Sequence, residues 1–240
     1  MGDLPLTPGI LLRAYAAGIF PMAEAAGDPV LHWVDPPRRG VLPVGGIHVS
    51  RSLGRALRRG GWRATLNADF AGTVAHCARR DETWINAPLR RLYADLHALG
   101  HAHALAVFQD GALAGGIFGV TLGGAFFGES MFSARTNGSK MALVWISDHL
   151  ARCGFTLFDT QYLTPHLATM GGTEISRLDY QARLSGALQR RASFHAQPLR
   201  SAEALLERLR QPPVPSSSTG ANSPSGPMPS PPSGSAVSGS

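Results

Sequence analysis

The chain has 240 residues, of which 44% are hydrophobic, and it carries a formal net charge of +6 with an isoelectric point near 10.1. This length allows one sizeable core or two small ones, and the positive charge indicates either an anionic partner or merely a composition-biased genome. No apolar run approaches the ~18 residues of a membrane helix, and the first residues lack the cationic region of a signal peptide. Two cysteines are too few for a disulfide framework. We therefore expect a cytoplasmic protein without membrane association.

Residues 1–60 are predicted to form a small, loop-rich N-terminal domain. Thr7 and Pro8 are typical of a helix start, and Gly18 of its end. Prolines and glycines punctuate the stretch that follows. A second helix over residues 48–61 places four arginines on one face, because they lie at offsets of 0, 4, 7 and 8 residues. These arginines are Arg51, Arg55, Arg58 and Arg59.

A more regular pattern begins at Trp62, and residues 61–200 are predicted to form the larger domain. Asp69 is expected to cap the first of its helices and Asn137 a later, longer one. The order β-α-α-β-β-β-α-β-α-β-α predicts a mixed sheet flanked by helices, an α+β fold with α/β-like layers. The predicted strands cover residues 62–67, 102–109, 112–122, 125–129, 155–161 and 175–178, and the predicted helices cover residues 69–79, 88–99, 138–153, 164–171 and 179–191.

The C-terminal part of the chain differs in composition. Residues 201–211 are predicted to be a short helix or linker. Residues 212–240 are rich in Pro, Ser and Gly and contain no charged residue. Such a segment cannot bury enough apolar surface to offset its ordering entropy, so we expect it to be disordered.

Polar side chains follow apolar runs at two predicted strand ends. Asp159 and Gln161 share one face of the strand over residues 155–161, because side chains alternate along a strand. Glu129 follows the apolar run that begins at Ala125. Strand ends are common ligand sites in open sheets, and two of them presenting polar groups indicate a cleft; the alternative is that both ends are simply solvated.

Other familiar chemical motifs are missing from the sequence. His97, His101 and His103 lie close together, but no carboxylate or cysteine completes a metal-binding set. No serine lies in a G-x-S-x-G turn, and the glycine-rich stretch over residues 115–128 lacks the G-K-[ST] ending of a phosphate loop. We therefore expect neither a metal nor a covalent nucleophile.

The arginine face is the type of surface that contacts phosphates, although a solvated helix face is an equally good interpretation. The aromatic residues Tyr15, Phe20, Trp33 and Trp84 lie in or near this basic region, as residues that stack on bases would. Lys140 is the only lysine in the chain. It falls in the first turn of a predicted helix, where a cation is disfavoured, so a phosphate or an active-site carboxylate is expected beside it.

Several stretches occur in a characteristic order: AYAAGIFPM, LHWVDPPRRGVLP, HVSRSL, TWI, LHALGHAHALAV, GGIFGV, FFGESMFS, NGSK and FDTQYLTPHLATMGG. Together they closely resemble the leucyl/phenylalanyl-tRNA–protein transferase family over roughly residues 10–190. The combination of GESMFS, NGSK and a downstream D-x-Q is highly specific.

The resemblance implies an aminoacyltransferase that moves Leu or Phe, with Met as a further candidate donor, from aminoacyl-tRNA to the α-amino group of proteins beginning with Arg or Lys. The product carries a bacterial N-end degradation signal. The resemblance also implies a C-terminal domain of GCN5-type acetyltransferase-like fold, no metal and no cofactor. The expected partners are aminoacyl-tRNA and acceptor proteins or peptides, and we expect a monomer.

The resemblance also implies roles for individual residues. Asp159 and Gln161 match the catalytic pair, and Glu129 the acidic active-site residue. We expect the Gln161 side-chain NH2 to donate to Asp159 while its carbonyl oxygen accepts a hydrogen bond from the attacking amine. Met22 stands where many relatives have a tryptophan. Tyr15 and Trp84 match aromatic residues near the aminoacyl end of the tRNA. The tRNA-binding cluster is matched by Arg51, Arg55, Arg58 and Arg59, with Lys140 as a further contact. The pocket for the aminoacyl side chain is matched by Met131, Phe126 and Phe158.

Two other functions stay open at this point. The expected fold is shared with acyl-CoA-dependent N-acetyltransferases, although the pyrophosphate-binding turn of those enzymes is not evident. A non-catalytic tRNA-binding module would need the arginine face and not the strand ends.

Overall fold

The computed structural model describes residues 6–23, 31–79 and 83–210. The expected disorder of residues 212–240 lies outside these ranges. Helix α1, Pro8–Ala16, begins where Thr7 caps it and Pro8 occupies its first turn. Strands β1, Phe20–Met22, and β2, His32–Val34, form a two-stranded antiparallel sheet.

Seven further strands form one mixed sheet. They are β3 Arg38–Leu42, β4 Trp62–Leu66, β5 Ala102–Gln109, β6 Ala112–Leu122, β7 Ala125–Ser133, β8 Leu157–Gln161 and β9 Thr173–Ser176. Their order across the sheet is β4-β5-β6-β7-β8-β3-β9. Every neighbouring pair is antiparallel except β7 and β8, which are parallel. Asp110 and Gly111 join β5 to β6 with positive φ angles, as a tight hairpin turn requires.

Helices cover both faces of this sheet. Besides α1, they are α2 Arg51–Arg58, α3 Phe70–Cys77, α4 Ala87–Ala98, α5 Gly138–Arg152, α6 Pro165–Thr169, α7 Arg177–Leu188 and α8 Ala202–Arg210. One core contains residues of α2, α5, α6 and α8, and a second core on the other face contains residues of α1, α3, α4 and α7. The predicted mixed sheet flanked by helices is confirmed.

Several local predictions need correction. Asn137 precedes α5 but has a left-handed backbone and makes no side-chain cap; the Ser133 hydroxyl oxygen instead accepts from the Ser139 N–H in the first turn, at 3.2 Å. The strand expected over residues 175–178 ends at Ser176, which caps α7 instead. Strand β7 continues past Glu129 to Ser133, so Glu129 lies within a strand and not at its end.

Strand β3 was not predicted, because prolines and glycines surround it. It inserts between β8 and β9 and so takes residues 38–42 into the large sheet. The division of the chain at residue 60 stays a prediction, as does the extent of the larger domain.

Two irregularities of the sheet shape the site. Gly119 of β6 pairs with Gly128 while Phe118 pairs with Ser130, so Glu129 is the extra residue of a β-bulge. Likewise Gly40 of β3 pairs with Gln161 while Val41 pairs with Asp159. Bulges commonly redirect a side chain, and here they occur at both strands that carry the expected catalytic residues.

Candidate active site

The strands β7 and β8 pair only as far as Phe127 and Asp159. Beyond that point they separate, and a cavity of about 200 Å³ lies beside the gap. Glu129 and Gln161 both line this cavity. The structure therefore brings together two of the three groups that the sequence placed in one cleft.

Glu129 is held by two tyrosine hydroxyl groups. Tyr15 donates to its Oε1 and Tyr93 to its Oε2, each at 2.7 Å. Burial raises the pKa of Glu129 to about 7, although the two hydrogen bonds act in the opposite direction. Burial and the nearby Glu129 charge raise the pKa of both tyrosines well above the usual range, so both remain protonated donors.

Asp159 is fully buried and does not line the cavity. The Arg39 guanidinium binds it through two parallel hydrogen bonds, from Nε to Oδ1 at 2.9 Å and from Nη2 to Oδ2 at 2.7 Å. The Tyr180 hydroxyl also donates to Oδ2, at 2.8 Å. Asp159 is thus paired with a guanidinium behind the site, and the expectation that its carboxylate shares a cavity with Gln161 and Glu129 is wrong.

Gln161 adopts a positive φ of 58°, which is uncommon for a residue other than glycine. Its backbone N–H donates to Oδ1 of Asp159 at 2.8 Å. In the amide orientation that satisfies its neighbours, the side-chain NH2 donates to the carbonyl oxygens of Thr160 and Gly128, both at 3.0 Å. The expected donation from this NH2 to Asp159 is therefore wrong, because the backbone makes that contact. The side-chain carbonyl oxygen remains available as an acceptor.

The other wall of the cavity is apolar. Met131 and Phe158 line it, together with Ile117, Leu143 and Leu167. Phe126 does not, because it lies fully buried beside Phe158, with the two rings edge to face and their centroids 5.1 Å apart. Phe126 supports the wall from the core and does not face the cavity.

The aromatic residues expected near the tRNA end differ in exposure. Trp84 lines the cavity, as do Met22, Phe20 and the exposed Tyr162. Tyr15 is fully buried, so its ring has no face open to a nucleotide. In this structure Tyr15 acts on Glu129 and not as a stacking surface.

The four arginines of α2 and its C-terminal cap are all exposed. Arg51, Arg55 and Arg58 line a groove of about 640 Å³ that His48 and Arg210 also border. Arg59 lies at the helix end, outside this groove. Leu53, Ala56 and Leu57 anchor the opposite face of α2 in the core, as the spacing predicted.

Lys140 lies half-buried in the first turn of α5. Within the described parts of the chain, no carboxylate lies within 4.0 Å of its ammonium, so the expected carboxylate partner is not found there. Burial and then the charge of Lys140 lower the pKa of His166. The neighbouring Ser139 hydroxyl lies 3.5 Å from Nε2 of His166.

Sequence reasoning missed Arg39, Tyr93 and Tyr180, although each touches a site carboxylate. Arg39 stands out in the sequence only as part of an arginine pair, and the two tyrosines lie on amphipathic helices, where their spacing is that of ordinary core residues. Only the distances across the fold distinguish them. In residues 6–23, 31–79 and 83–210, no three potential metal ligands lie together and no helix could span a membrane.

Comparisons with known proteins give one consistent result. The model of the leucyl/phenylalanyl-tRNA protein transferase family matches residues 41–185, and the model of its N-terminal domain matches residues 5–37. A leucyl/phenylalanyl-tRNA–protein transferase of Paracoccus denitrificans is 59% identical over 206 residues, which cover 86% of this chain and 97% of the relative. One from Cereibacter sphaeroides is 62% identical over 189 residues, covering 79% and 88%.

Among solved structures, a tandem GNAT protein from the clavulanic acid biosynthesis pathway is 16% identical to this chain with a TM-score of 0.32. The likeness covers 74% of this chain and 61% of that chain. It is weak and concerns the fold alone.

Proposed function

Since the chain belongs to the leucyl/phenylalanyl-tRNA–protein transferase family, we propose that it transfers Leu or Phe from aminoacyl-tRNA to the α-amino group of proteins that begin with Arg or Lys. The observation that best supports this is the single cavity that Glu129 and Gln161 share with an apolar wall. Such a cavity offers an acceptor for the proton of the attacking amine beside a pocket for an apolar side chain.

The donor is an ester and is already activated, so the reaction needs a neutral amine held against the ester carbonyl carbon. The amine nitrogen forms the new C–N bond and gives up one proton, the ester C–O bond breaks, and the ribose oxygen leaves as a hydroxyl group that carries this proton. An N-terminal amine has a pKa near 7.7–8.0, so part of it is neutral near pH 7, and a general base is most effective when its own pKa lies near the working pH. The pKa of Glu129, about 7, meets that requirement, and we assign Glu129 the role of proton acceptor.

Gln161 has a different role, because an amide is not a base. Both hydrogens of its NH2 are used by backbone carbonyls, so its carbonyl oxygen can accept a hydrogen bond from the incoming amine. Holding amine and ester in contact supplies a large share of the rate enhancement in such reactions. Asp159 contributes by holding the Gln161 backbone, not by contact with the substrate.

The aminoacyl side chain fits the apolar wall. Met131 and Phe158 line it, while Phe126 supports Phe158 from behind. Burying a Leu or Phe side chain there contributes about 1.5–3 kcal/mol, which is enough to favour these donors over smaller or polar ones.

Helix α6 connects the arginine groove to the cavity, and we expect the tRNA to run along it from one to the other. At the groove, the His48 backbone N–H donates to the Met170 carbonyl oxygen just after α6, at 2.9 Å. At the other side, Leu167 of α6 lines the cavity. Lys140 lies near His166 of the same helix. We therefore assign Lys140 a backbone phosphate between the groove and the ester.

One assay tests the function directly. The protein is incubated with labelled Leu-tRNA and an Arg-initiated peptide, and we expect label on the peptide. Glu129→Gln should lose transfer but retain tRNA binding, and Asp95→Asn, which removes an exposed carboxylate from α4, is its matched control. Absence of label with the wild-type protein would contradict the proposal.

Two further arms address the substrates. An Ala-initiated peptide should accept little label, which tests the preference for a basic first residue. Acetyl-CoA should neither stabilise the protein against heat nor donate an acetyl group; if it does either, the protein is an N-acetyltransferase instead. Normal transfer by both Glu129→Gln and Gln161→Ala would contradict the assigned site while leaving the overall function intact.

A further inference from the structure

Arg39 has the most extensive set of contacts of the buried polar residues near the site. Its side chain is 1% exposed and that of Asp159 is 0% exposed. Beyond the paired hydrogen bonds to Asp159, its Nη1 donates to the Gly18 carbonyl oxygen at 2.8 Å. Its guanidinium lies between two aromatic rings, 4.6 Å from the centroid of Phe20 and 4.3 Å from that of Tyr180.

These contacts connect Arg39 to both sides of the cavity. Phe20 lines the cavity directly, and Asp159 holds the backbone N–H of Gln161, which lines it as well. A positive φ at a residue other than glycine persists only where the surroundings hold it. The hydrogen bond from the Gln161 N–H to Oδ1 of Asp159 supplies that constraint. The same Oδ1 atom also accepts the hydrogen bond from Nε of Arg39.

We propose that Arg39 is a positioning residue for aminoacyl transfer, which fixes the Asp159 carboxylate so that Asp159 in turn holds Gln161 in its cavity-facing conformation. This inference rests on the proposed function. Arg39 touches neither substrate, so its effect should reach the reaction only through the geometry of Gln161.

The geometry of the contact explains why arginine is needed. A guanidinium forms two parallel hydrogen bonds with a carboxylate and so fixes its plane, whereas a lysine ammonium is a single point charge about which the carboxylate can rotate. Rotation would move Oδ1 away from the Gln161 N–H. Misplacement of a reacting group by about 1 Å can cost on the order of 10²-fold in rate.

The test compares Arg39→Met, Arg39→Lys and the wild type in the labelled transfer assay. We expect kcat to fall on the order of 10²-fold in Arg39→Met, with the KM for Leu-tRNA changed by less than about twofold, because Arg39 does not line the tRNA groove. Arg39→Lys should recover part of the loss. The matched control is Arg38→Met, which removes the adjacent arginine, whose exposed side chain pairs with Glu174 at 3.8 Å; it should stay within about twofold of the wild type.

Arg39→Met leaves Asp159 buried without its charge partner and can fail to fold. The double variant Arg39→Met/Asp159→Asn removes both charges and keeps the side-chain volumes similar. We expect it to fold and to show the same loss of kcat, because an amide that no guanidinium anchors does not present a fixed acceptor to the Gln161 N–H.

The outcomes separate the two proposals. If the wild-type protein transfers no label, the proposed function fails whatever Arg39 does. If the wild type is active and the folded double variant retains kcat, the positioning role is wrong and Arg39 serves stability alone. Equal kcat values for folded Arg39→Met and Arg38→Met would likewise overturn it.

Discussion

The raised pKa of Glu129 should make the stability of this protein depend on pH in a direction that a single substitution can reveal. Its pKa rises from the ordinary 4.5 to about 7 on folding, mainly because the carboxylate loses water. A shift of this size corresponds to about 3 kcal/mol. Because Glu129 borders the cavity and is only half-buried, water in the cavity reduces this energy, so about 3 kcal/mol is an upper limit.

The sign follows from the two protonation states. Below about pH 4.5, Glu129 is protonated in both the folded and the unfolded chain and contributes no difference. As the pH rises, the unfolded chain releases its proton first, so the free energy of unfolding falls until the folded pKa near 7 has been passed. Glu129→Gln is neutral throughout and should escape this loss.

The assay is denaturant-induced unfolding of the wild type and Glu129→Gln at several values between about pH 5 and about pH 8. Gln cannot accept from both Tyr15 and Tyr93 as a carboxylate does, so the variant should start with a constant deficit of about 1–3 kcal/mol. On top of that deficit, the variant should gain up to about 3 kcal/mol relative to the wild type as the pH rises.

Asp95→Asn is the control for the removal of one negative charge. A difference between the wild type and Glu129→Gln that is flat over this pH range, or that changes in favour of the wild type, would refute the assignment of a raised pKa to Glu129.

Four further expectations concern activity. The transfer rate of the wild type should fall as the pH drops through about 7, because protonated Glu129 cannot accept a proton. Glu129→Gln should be slower by about 10²–10⁴-fold and should no longer show this fall in rate at low pH. A pH–rate profile that is the same in the variant would mean that another group is the base. Removing Arg51, Arg55 and Arg58 together should weaken tRNA binding and lower its salt dependence by about one slope unit for each phosphate that is no longer neutralised, measured by filter binding. Lys140→Arg should reduce transfer more than Arg63→Ala, which removes an exposed arginine over Phe108; equal effects would mean that any cation suffices. Met131→Ala should lower kcat/KM for the Leu donor by about 10–100-fold, whereas Phe126→Leu should reduce stability without changing the ratio of Leu to Phe transfer.

The amino-acid sequence predicted the elements whose signals are local. The hairpin turn at Asp110-Gly111, the cap at Asp69 and the amphipathic α2 all depend on neighbouring residues, and all occur as expected. Glu129 and Gln161 do line one cavity, but the strand-end argument from the sequence does not explain this, because Glu129 is the extra residue of a bulge inside β7.

The tertiary structure decided everything that depends on partners far along the chain. Strand β3 joins β8 and β9 from a loop-rich region, and only that pairing brings Arg39 to Asp159 across 120 residues. No periodicity encodes such a contact. The same holds for Tyr15. Its position near the basic region predicted a contact with the tRNA, whereas the fold buries it against Glu129. Side-chain chemistry could therefore be inferred from the sequence, whereas the direction in which each group points depends on strand order and bulges that form only when distant segments pack.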